Sequence, residues 1–171
     1  MVYYKGCDIL LAAMTRIPDL DIHLTIVGSG VLETTLKAQT KQAGIQDRVC
    51  FAGRVSDEEL QAQIEACDVF VFPSVAASEA FGLVQLEAMI YGKPVINTKL
   101  PTGVPCVSLD GETGLTVPVG DATSLSEAIL WMKNHWNERI KMGENARERV
   151  KTQYTEDVMI KRLLQLYKEI V

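Results

Sequence analysis

The sequence predicts an α/β fold: an open, doubly wound (Rossmann-like), mostly parallel sheet with helices on both faces. One observation is the set of short apolar runs near residues 22–28, 48–53, 69–73, 94–98 and 115–117, each bounded by turn residues. The other is helical apolar spacing in the intervals between them. Strands that alternate with helices pair in parallel, because each crossover helix covers a face of the sheet. No linker, low-complexity stretch or repeat breaks the pattern, so residues 1–171 read as a single domain with extra C-terminal helices. Ligands of such sheets bind beyond the carboxyl ends of the strands.

The elements follow in order. Asp8 to Ile17 carries Ile9, Leu10, Ala13, Met14 and Ile17 on one side and stops before Pro18, as an amphipathic helix does. Lys5-Gly6 stands at its start, where the positive helix end disfavours a lysine and an anion would offset the cost. His23 to Gly28 reads as a strand, and Leu32 to Ala43 as a helix closed by Gly44. Gly28-Ser29-Gly30 begins a dinucleotide fingerprint, but Glu33 occupies the place of the third glycine, which argues against a dehydrogenase. Val49 to Gly53 is a strand. Ser56-Asp57-Glu58-Glu59 is a capping box that opens a helix to about Ala66.

Val69 to Pro73 is a buried strand, and Leu83, Leu86, Met89 and Ile90 then recur at helical spacing. This junction places Phe81-Gly82-Leu83 near the first turn of a helix and Glu87 about two turns in. Unpaired amides at a helix start suit a phosphate, and Gly82 leaves room for a ligand to approach the backbone. Gly92-Lys93-Pro94 turns into the strand Val95 to Thr98. Cys106-Val107-Ser108 reads as extended, Leu115 to Val117 as the last strand, and Asp121 caps a helix to about Lys133. Two helices close the chain, roughly 137–151 and 155–170. The last is apolar over a wider arc than a lone surface helix needs, as if part faced a second domain.

Composition narrows the function. With 47% hydrophobic and 23% charged residues this is an ordinary soluble globular composition. A net charge of -5 gives no general attraction to nucleic acid or an anionic membrane. Cys7, Cys50, Cys67 and Cys106 lack metal-ligand spacing and sit among apolar neighbours, which reads as buried free thiols of a reducing compartment. Neither a signal nor a membrane-spanning run is evident, so the expected location is cytoplasmic. His23 and His135 suggest no shared site, and no acidic pair has clear metal spacing, so no metal is expected.

The pattern Glu79, seven residues, Glu87, with Phe81-Gly82-Leu83 inside it, resembles the signature of retaining glycosyltransferases of the GT-B fold, group 1 (family four) type. The likeness extends to Tyr4-Lys5-Gly6, Ile26 to Gly30, Phe51 to Leu60, Asp68 to Ser74, Gly92 to Ile96 and Asp110 to Leu115. It implies the donor-binding C-terminal domain of such an enzyme, which takes a sugar from a nucleotide diphosphate. Lys5 would hold the diphosphate together with the amides of Ala80, Phe81, Gly82, Leu83 and Val84. Glu79 would contact the donor sugar near the reacting carbon, Glu87 the ribose hydroxyls, and the Arg54-Val55 loop the nucleobase. Glu79 and Lys5 are the residues assigned to catalysis.

The family's N-terminal acceptor domain is not in the 171 residues, nor is an arginine expected just before residue 1. The fragment alone is therefore expected not to turn over, and any peripheral membrane contact would come through that other half. The resemblance leans toward mannosyl or rhamnosyl transfer in bacterial surface polysaccharide synthesis, with no cofactor beyond the nucleotide sugar substrate. Two other readings stand beside it: half of a nucleotide-sugar 2-epimerase, which shares the architecture, and a non-catalytic nucleotide-binding module.

Overall fold

The apolar runs become five short strands, all parallel. The computed structural model describes residues 1–170. In chain order it has α1 (Cys7–Arg16), β1 (Leu24–Val27), α2 (Glu33–Gln42), β2 (Val49–Gly53), α3 (Asp57–Ala66), β3 (Phe70–Phe72), α4 (Val84–Ile90) and β4 (Val95–Thr98). It continues with α5 (Val104–Val107), β5 (Gly114–Val117), α6 (Ala122–Asn134), α7 (Trp136–Gln153) and α8 (Glu156–Ile170). A 3₁₀ turn, Tyr3–Lys5, precedes α1.

The strands form two small sheets, β1-β2 and β3-β4-β5. Leu24 pairs with Val49 in the first; Phe70 pairs with Val95, and Val95 with Gly114, in the second. β1 and β3 do not pair with each other. The first residues of the chain tie their carboxyl ends together instead. The Met1 ammonium donates to the Ser29 carbonyl, the Leu32 amide to the Met1 carbonyl, and the Val75 amide to the Tyr4 carbonyl at 2.8 Å.

Helix α1 unites the two halves, since its two apolar rows face different cores. Leu11, Met14 and Ile17 pack with Ile26, Leu36 and Val49. Leu10 and Ala13 pack with Ile96, Val117, Leu125 and Met132. A third cluster, Phe72, Met89, Val95, Val104, Val107 and Val150, lies beneath α4 and α5. All four residues of β4 are buried, as befits a central strand covered on both faces.

The expected elements are present to within one or two residues at most ends, with corrections. Cys106-Val107-Ser108 is not an extended piece: Val104–Val107 is a helical turn, because Val104 and Val107, three apart, are both buried. Cys50 and Cys106 are exposed and Cys7 and Cys67 half-buried, so the four thiols are not core residues. Partial burial raises the Cys7 and Cys67 thiols above their ordinary value. Helix α8 buries no residue, and Met159, Leu163, Leu164, Leu166, Tyr167 and Ile170 are exposed along it. Among the described residues, no helix is long and apolar enough to cross a membrane.

Candidate functional site

The rim at the carboxyl ends of the strands carries the residues singled out by sequence. Lys5 and Glu79, 74 positions apart, meet there: Lys5 Nζ donates to Glu79 Oε2 at 2.5 Å. Two local features make this possible. Gly6 takes φ +65°, and its α-carbon lies so close to Pro73 that a β-carbon would fall 2.0 Å from the Pro73 carbonyl oxygen. Only glycine lets the Lys5 turn rest on the end of β3. Ser74, fully buried, then directs its hydroxyl at Glu79 Oε2 over 3.4 Å, while its carbonyl accepts from the Thr98 hydroxyl at 2.6 Å. Lys5 also stands 5.3 Å from the centre of the Phe72 ring, within cation–π range.

Beyond Glu79 the chain runs through Ala80, Phe81 and Gly82 before α4 begins. Helix α4 starts at Val84, with Leu83 as its N-cap, so Phe81-Gly82 precedes the helix rather than lying in its first turn. Glu87 is the fourth residue of α4, one turn in rather than two, and is exposed without an ion-pair partner among the described residues. The amides of Ala80, Phe81, Gly82, Leu83 and Val84 have no acceptor among the described residues, whereas the next, of Gln85, bonds to the Gly82 carbonyl. A run of free amides beside a lysine is an anion-favouring surface.

Val55 lies between β2 and Ser56, the N-cap of α3, whose capping box with Glu59 is formed in both directions. The tie on that side of the rim is Arg54, whose Nε donates to Ser29 Oγ at 3.1 Å. Among the described residues no group of three His, Cys, Asp or Glu side chains could hold a metal.

Sequence reasoning missed the polar side chains under the rim. Ser74, Thr98, Gln85 and Asn97 are buried, and each is hydrogen-bonded. The signal was available: Asn97 interrupts an apolar strand, and Gln85 stands in the buried phase of a helix, where a polar group must find partners.

The family model described as "Glycosyl transferases group 1" matches residues 1–149. The D-rhamnosyltransferase WbpZ of Pseudomonas aeruginosa is 39% identical over 155 residues, 91% of this chain and 40% of that protein. The O-antigen chain mannosyltransferase C of Escherichia coli is 34% identical over 169 residues, 99% of this chain and 44% of that protein. Among solved structures, Anabaena Alr3699/HepE in complex with UDP superposes with a TM-score of 0.85 at 25% identity, covering 99% of this chain and 46% of that one. The sucrose-phosphate synthase of Thermosynechococcus elongatus gives 0.84 at 32% identity, with 99% and 43% covered. The chain thus spans less than half the length of these relatives. Its fold is a Rossmann-like half of the GT-B architecture, and the chain belongs to the group 1 glycosyl transferases.

Proposed function

We propose that these residues are the donor-binding half of a retaining hexosyltransferase that uses a nucleotide diphosphate sugar. The observation that carries the reading is the meeting of Lys5 and Glu79 beside the acceptor-free amides of Ala80 to Val84. In sugar transfer the bond between the anomeric carbon and a diphosphate oxygen breaks, and both electrons stay on that oxygen. Fixed donors aimed at the developing charge lower the barrier. Lys5 and the loop amides are such donors, so a bound diphosphate would take over Lys5 from Glu79 and release that carboxylate to the sugar hydroxyls. Glu87, exposed at the start of α4, serves the ribose hydroxyls, and the Arg54-Val55 loop borders the nucleobase. These two carboxylates anchor hydroxyls and are not the acid and nucleophile of a glycoside hydrolase.

The names of the rhamnosyl- and mannosyltransferase relatives support a deoxyhexose or hexose donor of surface polysaccharide assembly. The acceptor side belongs to a second domain, so the 171 residues alone bind the donor without turning it over. Transfer to an acceptor at ordinary enzyme rates by the purified chain would overturn that part.

Calorimetry with UDP, GDP and dTDP tests the site. One diphosphate should bind, and Glu87→Ala should lose about 1.5–3 kcal/mol, as for a hydrogen bond to a charged group. Equal binding by parent and variant removes Glu87 from the ribose position.

A further inference from the structure

We propose that Gln85, held by Asn97, is the positioning residue of the Ala80–Val84 loop: it draws the Phe81 carbonyl inward and so turns the Gly82 amide away from the buried pair. The inference rests on the reading above that these amides receive a diphosphate.

The orientation of the two amide side chains follows from their surroundings. Gln85 Nε2 lies 3.2 Å from the Phe81 carbonyl oxygen and 3.3 Å from that of Val104. Two carbonyl oxygens require a donor, so the nitrogen faces them and Gln85 Oε1 faces Asn97 Nδ2, at 3.0 Å. Asn97 Nδ2 also reaches the Val104 and Ser108 carbonyls, and Asn97 Oδ1 accepts from the Thr116 hydroxyl at 2.8 Å. Gln85 is 0% exposed and Asn97 1% exposed. Every polar atom of this buried pair is engaged, which fixes its geometry.

A trans peptide points its N–H opposite its C=O. With the Phe81 carbonyl held inward by Gln85, the Gly82 N–H faces away from the buried pair. The preceding peptide is held in the same sense, since the Gly103 amide donates to the Ala80 carbonyl at 2.8 Å and leaves the Phe81 N–H turned away. Gly82 completes the arrangement at φ +75°, where a β-carbon would fall 2.7 Å from the Phe72 ring and 2.9 Å from Gln85 Nε2. An apolar side chain of the same size would fill the place of Gln85 but could not hold the Phe81 carbonyl. Two consecutive amides are thereby aimed before any ligand arrives, the preorganisation that anion recognition rewards.

The test compares the parent chain with Gln85→Met, which conserves volume, and Val107→Ala, which trims the same core but removes no hydrogen bond to the Phe81 carbonyl. Affinity for GDP, UDP and dTDP is read by calorimetry, and the ¹⁵N–¹H resonances of Phe81 and Gly82 are followed without ligand. Gln85→Met should weaken the diphosphate about tenfold and shift both resonances, since a held hydrogen bond is lost from the aiming of the amides. Val107→Ala should leave both readouts near the parent's. Parent-like binding by Gln85→Met, or equal weakening by Val107→Ala, overturns the inference. A parent that binds none of the three overturns the donor-site reading itself. The inference is then decided by the resonances alone, and it fails if Gln85→Met leaves them unmoved. Should Gln85→Met not fold, Gln85→Asn, whose shorter amide cannot reach the Phe81 carbonyl, is judged by the same outcomes.

Discussion

The two halves of the rim are built differently. On the β3-β4-β5 side, the Glu79 loop rests on a floor of buried, hydrogen-bonded polar groups: Ser74, Gln85, Asn97 and Thr98. On the β1-β2 side, the loops Gly28–Gly30 and Arg54–Val55 are joined by a single exposed side-chain contact, Arg54 to Ser29. The proposed diphosphate and sugar end is thus fixed by the interior, while the proposed nucleobase end is fixed mainly by backbone. Under the proposed function the diphosphate is common to every donor whereas the base varies, and the braced side of the rim would serve the constant part.

The division breaks most readily at Asn97. Asn97→Leu would strand Gln85 Oε1 and the Ser108 carbonyl inside the core and free the half-buried Thr116 hydroxyl, while the Val104 carbonyl keeps Gln85 Nε2. Each stranded buried group costs about 1–3 kcal/mol, so a loss of at least about 2 kcal/mol is expected in urea unfolding. A loss under about 1 kcal/mol would mean that the polar floor does not brace this side.

Lys5→Met comes next, and it separates ligand binding from stability. Lys5 is 38% exposed at its side chain and Glu79 13%, so water screens part of their attraction. The change in stability is expected to stay within about 1 kcal/mol. Diphosphate affinity should nevertheless fall about tenfold or more, since a charge-assisted bond is worth about 1.5–3 kcal/mol. Unchanged affinity would dissociate Lys5 from the phosphate role. Arg54→Ala sharpens the contrast on the other side: stability should move by no more than about 0.5 kcal/mol, the usual range for a surface change. Its effect on diphosphate affinity should be well below that of Lys5→Met, and an equal effect would erase the difference between the halves.

How much of this was legible in the sequence depends on range. The strand and helix alternation and the Ser56–Glu59 capping box are written within a few residues, and the structure has both. Gly82 is a correction: its bare α-carbon faces the Phe72 ring and Gln85 in the interior rather than leaving room for a ligand. Helix α5 was not legible, because Val104, Cys106 and Val107 favour strand by local preference and only burial of Val104 and Val107 against α4 and β4 selects the helical turn. Cys50 misled for a related reason: an apolar-looking run gives no sign of which face of β2 is covered, and Cys50 falls on the open one. The Lys5–Glu79 contact was foreshadowed only as a shared rim. Their approach is set by the packing of Gly6 on Pro73, which no spacing within the sequence encodes.

Acid titration offers the smallest comparison, between two helix starts that each hold a carboxylate. Glu59, at the start of α3, is lowered below its ordinary value by the Ser56 amide and then the Ser56 hydroxyl. Asp121, at the start of α6, is lowered chiefly by the Ser124 hydroxyl and then by the Ser124 and Thr123 amides. A carboxyl with a depressed folded value binds its proton more readily when unfolded, so its contribution is complete above the unfolded value, about 4.3 for Glu and about 3.9 for Asp. That contribution fades as pH falls through the depressed folded value. Glu59→Gln and Asp121→Asn should therefore each flatten the acid limb of the stability curve below about pH 4 and leave its shape near neutrality unchanged. Glu59 is exposed and Asp121 only half-buried, so both changes in slope should be small. A much steeper dependence in the parent on Asp121 than on Glu59 would mean that α6, packed on α1, governs acid unfolding of the whole chain rather than of its own half.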